Sequence, residues 1–143
     1  SKELLDKERI FFENIYQNFL KTQNYITETK NNLHLIFKNY SDKISAYGTS
    51  IGATVFTYQF GLTDKITTFF DDDPLRQNTF SPGIGAPVKQ GRSADMNNFK
   101  HCLLFAPLYS KQIVRANSEF TDNGGSFITI RPNVSIIKSS SDL

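Results

Sequence analysis

The chain has 143 residues, 38% of them hydrophobic and 21% charged, with a formal net charge of +2. That length suits one domain with a real core, and thirteen Phe are available to fill it. The weak charge and scattered basic residues exclude a nucleic-acid-binding field. The lone Cys102 excludes a disulfide framework or a cysteine-built zinc site within this chain, and no apolar stretch reaches the length of a membrane span.

Residues 1 to about 40 contain neither Gly nor Pro. Ile15, Phe19, Ile26, Leu33 and Tyr40 recur at helical spacing, with Phe11, Phe12, Tyr16 and Ile36 beside them. Seven basic and six acidic side chains up to Lys43 are mixed through the stretch. This predicts one long amphipathic helix, or two broken near Thr22–Asn24. Such a helix would project beyond a small domain, so its apolar stripe needs a partner. Packing on a sheet is the expectation; docking to another domain or another copy is the alternative.

From Lys43 the rhythm changes. Residues 43–48 read as a short strand ending at Gly48, and 51–62 as a helix. A second strand covers 65–70, followed by Asp71-Asp72-Asp73-Pro74 and a turn-rich stretch from Leu75 to Val88. A short helix over 94–99, an apolar third strand over 101–105 and a helix over 109–122 come next. Asn123-Gly124-Gly125 is a stop signal, leading into a fourth strand over 126–130 and a candidate fifth over 133–137. Strand and helix in alternation imply parallel pairing by crossovers, hence an α/β fold with a small Rossmann-like sheet. We divide the chain into a helical lead-in (1–42), a Rossmann-like domain (43–138), whose substrate-binding role is what the resemblance given below implies, and a disordered Ser-rich tail (139–143). The start at Ser1, without Met, reads as a trimmed or excised fragment. The charged N-terminus and lone Cys lead us to expect a cytoplasmic protein.

Ligands of open parallel sheets sit beyond the carboxyl ends of the strands. The first strand ends at Tyr47-Gly48-Thr49-Ser50-Ile51-Gly52, just before a helix. Gly48 allows a sharp turn, Thr49 and Ser50 can cap the helix, and the N–H groups from Thr49 to Ala53 can face an anion such as a phosphate. The pattern is neither GxGxxG nor a GxxxxGK[ST] phosphate loop, and an ordinary capped strand-to-helix turn uses the same residues. Asp71 ends the second strand 23 residues past Gly48, where an acidic residue commonly bonds a ribose hydroxyl. The same carboxylates suit a turn led into by Pro74. His34 and His101 lack the neighbours of a catalytic or metal site, and Cys102, beside Leu103 and Leu104, suits a buried thiol. No general acid–base pair is visible, so no catalytic, cofactor-binding or metal residues are assigned in this chain.

Five segments occur in a telling order: Ser45-Ala-Tyr-Gly-Thr-Ser-Ile-Gly-Ala-Thr54, Tyr58-Gln-Phe-Gly-Leu62, Phe70-Asp-Asp-Asp-Pro-Leu-Arg-Gln77, Phe80-Ser-Pro-Gly83 with Pro87-Val88, and Gly124-Gly-Ser-Phe-Ile128. Together they resemble the C-terminal domain of S-adenosylmethionine-dependent sugar C-methyltransferases, which methylate nucleotide-linked deoxysugars. The resemblance implies a Rossmann-like domain that helps enclose the nucleotide sugar. It implies substrate-holding roles for Gly48, Thr49, Ser50 and Thr54, and a loop from Asp71 to Gly83, with Arg76 and Ser81, shaping that side of the cleft. It also implies that S-adenosylmethionine and zinc belong to N-terminal domains of the same polypeptide. The N-terminal helix could then join that methyl-donor domain or form a homodimer. Three positions depart from the family pattern. Ile51 and Gly52 stand where many relatives have a Lys, Asn78 where many have Gly, and Pro107-Leu108 where many have Trp-Asn. Two other readings remain: a stand-alone dinucleotide-binding module of an oxidoreductase, and an interaction domain without a ligand.

Overall fold

The structure is a computed structural model that describes residues 1–38 and 43–143. Helix α1 runs unbroken over Lys2–Lys38, about 55 Å at the usual helical rise, so the break considered near Thr22–Asn24 is absent. Tyr40, placed on the same stripe, lies outside the described residues. The rest of the chain gives β1 (Ile44–Tyr47), α2 (Ile51–Gln59), β2 (Ile66–Asp71), β3 (Val88–Gln90), β4 (His101–Leu104), α3 (Ser110–Ala116), α4 (Ser118–Asp122), β5 (Ser126–Thr129) and β6 (Ser135–Ile137).

The strands form one sheet in the order β3-β2-β1-β4-β5-β6. Every neighbouring pair is parallel except β5 with β6, which is antiparallel. This is the doubly wound Rossmann order with its last strand reversed. In β1, Tyr47 lies opposite both Phe70 of β2 and Leu104 of β4, so the three central strands end at one level.

Successive strand residues feed two cores, one on each face. Ala46, Phe69, Leu103 and Ile128 join Leu33, Phe37, Ala53 and Phe60 on the α1–α2 side. Tyr47, Phe70, Cys102, Leu104 and Phe127 join Ile113, Val114 and Phe120 on the α3–α4 side. Burial on both faces explains why β4 and β5 show no polar–apolar alternation in sequence.

Three elements differ from expectation. β3 was not foreseen: its three residues follow the turn-rich stretch and pair with β2 at Phe69–Asp71. The helix expected over 109–122 is two helices, because Asn117 leaves helical geometry at φ −115, ψ 34. The segment 94–99 is a 3-10 helix over Ala94–Asn98. At the Ser-rich end, where fraying was expected, Ser140–Asp142 form a 3-10 turn capped by the Asp142 side chain.

Only the C-terminal part of α1 meets the sheet. Thr29, Leu33 and Phe37 are buried there, and the Tyr25 hydroxyl donates to the Ile130 carbonyl at 2.6 Å. The His34 ring Nε2 lies 2.8 Å from the Phe60 carbonyl, fixing α1 to the end of α2. The other half of α1 carries its apolar residues in the open: Leu4, Leu5, Phe11, Phe12, Ile15 and Phe19 are each 50–66% exposed.

Candidate functional site

β1 has β2 on one side and β4 on the other, so the loops leaving β1 and β4 part company at their carboxyl ends. The crevice between them is a cleft of about 520 Å³, a volume that suits a small-molecule ligand.

One wall is the turn into α2. Gly48 adopts φ +97, and its N–H donates to the Phe70 carbonyl at 2.8 Å. In that left-handed region a side chain would be strained. Ser50 is the N-cap, its Oγ accepting from the Ala53 N–H at 3.2 Å. Thr49 is spoken for: its N–H and its Oγ1 both donate to Asp71 Oδ2, at 2.9 and 2.6 Å. The expectation that all the amides from Thr49 to Ala53 face a ligand is therefore corrected. Among the described residues, the N–H groups of Ser50, Ile51 and Gly52 remain without a partner.

Asp71 lines the cleft, and both of its oxygens have protein partners. Its second oxygen accepts from the Asp73 N–H at 3.0 Å, and Arg76 Nη1 lies 3.5 Å from the first. Burial alone would raise the pKa of this carboxyl, but the bonds from Thr49 and Asp73 and the Arg76 charge outweigh it and hold it below its ordinary range. Arg76 is itself shared, with Nε 3.5 Å from Asp73 Oδ2. Asp71, Asp73 and Arg76 thus build the loop and fasten it to the Gly48 corner.

Asp72 takes the outward position. It lines the cleft, and its Oδ1 accepts from the Tyr47 hydroxyl at 2.8 Å. Burial, then the bond and charge of Asp72, push the Tyr47 phenol above its ordinary pKa, so it stays a proton donor. Gly91 lets this pair form, because a Cβ there would occupy the place of the Tyr47 hydroxyl and approach Asp72 Oδ1 within 2.7 Å. Arg92 follows on the same rim. The opposite wall is apolar: Phe105, Ala106, the Pro107–Tyr109 turn and Ile113.

The profile of a family described as C-methyltransferase C-terminal domain matches residues 2–132. The chain belongs to that family. No curated protein sequence matches it significantly. Sixteen chains of solved structures do. One is the crystal structure of UDP-D-quinovosamine 4-dehydrogenase from Vibrio fischeri, 18% identical over 64% of this chain and 79% of that one, with a TM-score of 0.46.

In this C-methyltransferase C-terminal domain the expected site residues divide into two groups. Gly48, Thr49, Ser50, Asp71 and Arg76 gather at the cleft. Thr54 and Ser81 do not: Thr54 Oγ1 donates to the Pro82 carbonyl at 3.0 Å, and Ser81 Oγ accepts from the Ala86 N–H at 3.1 Å. They pin the 81–86 turn to α2, helped by the Tyr58 hydroxyl on the Gly83 carbonyl. Of the departures from the family pattern, Asn78 sits at φ +60, a conformation that glycine adopts freely and asparagine tolerates. Pro107 and Leu108 form part of the apolar wall. Sequence reasoning missed Tyr47, Asp72, Arg92 and Tyr109 as cleft residues. The rule that strand ends carry function could have found Tyr47 and Asp72; no motif marks Arg92.

Among the described residues, no group of three or more His, Cys, Asp or Glu side chains could hold a metal ion. Cys102 is fully buried, which pushes its thiol up to about 12, away from the thiolate form that ligates metals. Among the described residues, no helix is long and apolar enough to cross a membrane.

Proposed function

We propose that this domain holds the acceptor of a methyl-transfer reaction, a nucleotide-linked deoxysugar, in the cleft beyond β1, β2 and β4. The supporting observation is the two-sided character of that cleft. On one wall stands Ser50, where the N–H groups of Ser50, Ile51 and Gly52 begin α2 without a partner among the described residues, and the positive end of that helix suits a phosphate. On the other, Phe105 to Leu108 offer an apolar surface to a base or a deoxygenated sugar ring. Membership of a C-methyltransferase family supplies the reaction class. Asp71, with both oxygens engaged, speaks against the ribose-binding use expected of a dinucleotide oxidoreductase.

On this reading S-adenosylmethionine and zinc are held by other parts of a cytoplasmic polypeptide. Methyl transfer needs donor and acceptor carbon in line a few ångströms apart. The residues of this chain bind and orient the acceptor, so the chain alone gives no turnover. The methyl-donor domain docks on the open apolar half of α1, an exposed patch of the kind that marks a protein contact. A second copy would compete for the same face, and light scattering of the chain distinguishes the two: a stable dimer reassigns the face to a copy.

Isothermal titration with thymidine diphosphate tests the binding role. Saturable binding with a dissociation constant of about 10 μM to 1 mM is expected. No heat and no thermal shift at millimolar ligand would reject it.

A further inference from the structure

We propose that Arg92, rather than Arg76, takes the anionic group of the ligand, and that Asp72, fixed by Tyr47, accepts a ligand hydroxyl beside it. The proposal rests on the reading of the cleft as a phosphorylated-ligand site, and it says which side chains of that site do the recognising.

The first ground is charge. Arg76 lies 3.5 Å from both Asp71 and Asp73, so its guanidinium is already balanced by two carboxylates. Arg92 lines the same cleft and makes no ion pair among the described residues. A guanidinium that makes no ion pair, on the rim across from an apolar wall, can meet two phosphate oxygens at once.

The second ground is the backbone. Arg92 adopts φ +60, where a residue bearing a Cβ is disfavoured and glycine is at ease. The conformation is held from outside: the Arg92 N–H donates to Asn117 Oδ1 at 2.8 Å. Asn117 is buried and anchored in turn by Nδ2 on the Ile113 carbonyl at 2.7 Å. The adjacent residue shows the converse. Gly91 has no room for a side chain, yet Arg92, in a backbone that suits glycine, carries a long charged one at the edge of the cleft. Strained positions of this kind persist where the side chain has a task.

The third ground is Asp72. One of its oxygens takes the Tyr47 hydroxyl, and the other has no hydrogen bond among the described residues and lies at the rim of the cleft. A carboxylate fixed by one oxygen and open at the other is an acceptor for a sugar or ribose hydroxyl.

The test uses titration calorimetry of the chain with thymidine diphosphate and with inorganic diphosphate, alongside melting temperatures. Arg92→Gly is expected to melt at or above the wild-type temperature, since it removes the strained Cβ, while both probes bind about tenfold more weakly or worse. Arg92→Lys is expected to fall between. Asp72→Asn should weaken thymidine diphosphate and leave inorganic diphosphate unchanged. Arg115→Gln, which removes an exposed charge outside the cleft, should change neither. Wild-type binding that survives intact in Arg92→Gly overturns the proposal and leaves the cleft reading standing. Equal losses in Arg92→Gly and Arg115→Gln reduce the effect to net charge and overturn it as well. If wild type binds neither probe at millimolar concentration, the cleft reading fails and the proposal falls with it.

Discussion

Replacing Asp71 by Asn probes the joint between the Gly48 corner and the acidic loop. The carboxylate accepts from the Thr49 N–H at 2.9 Å and the Thr49 hydroxyl at 2.6 Å on one oxygen, and from the Asp73 N–H at 3.0 Å on the other. An amide of the same shape keeps one oxygen and turns an NH₂ towards the remaining donor. Whichever way it flips, a backbone N–H faces a donor and the charge opposite Arg76 is gone. A hydrogen bond to a charged group contributes roughly 1.5–3 kcal/mol, so the expected loss is about 2–3 kcal/mol in a domain whose total stability is of order 5–15 kcal/mol. Urea unfolding followed by far-UV circular dichroism measures it, the chain having no Trp. The pH dependence gives a second, independent readout. The folded pKa of Asp71 lies below its unfolded value of about 3.9, so its contribution is complete above about pH 4 and is lost as the pH falls through the folded value. Wild type and Asp71→Asn should therefore differ at neutral pH and converge in acid. A neutral-pH difference under about 0.5 kcal/mol, or a gap that stays constant in acid, would refute the reasoning.

Two further substitutions test other parts of the fold. Leu33→Ala, at a fully buried position where α1 meets the sheet, should cost about 2–5 kcal/mol, whereas Phe11→Ala, 61% exposed, should change stability by less than about 0.5 kcal/mol. Equal losses would mean that the N-terminal half of α1 packs in solution. Gly91→Ala must push the Tyr47 phenol away from Asp72 and should cost about 2–4 kcal/mol, with altered Tyr47 ring resonances in NMR. Wild-type stability and spectrum would place Tyr47 elsewhere.

The parts of the fold that could be read from the sequence are those where local signals and tertiary needs agree. β4 and β5 are apolar, bounded by turns and buried on both faces, and α2 begins at a Ser whose oxygen caps it. β3 is three residues whose only strand signal is a partner 19 positions upstream, since Val88 pairs with Phe69. The break at Asn117 is equally silent locally. Its side chain bonds the Arg92 backbone 25 residues away, and that long-range bond, not helix propensity, is what the sequence pattern over 109–122 leaves out.

The site divides along the same line. Glycine, hydroxyl residues and a strand-end carboxylate mark where a cleft must lie, because turning a chain at the end of a buried strand demands those residue types. Which of three consecutive carboxylates stays open to the cleft is decided by competition. Asp71 and Asp72 are chemically identical, and their roles are set by donors contributed from other segments. Thr49 and Arg76 engage Asp71, while the Tyr47 hydroxyl holds Asp72 at the rim. The two arginines follow the same logic, since the acidic loop that organises the corner also neutralises Arg76 and leaves the cleft's open positive charge to Arg92. A carboxylate engaged in building the turn and an arginine held to it are therefore one structural unit. The groups that this unit leaves open at the cleft are Asp72 and Arg92, which is why the proposed recognition falls to them.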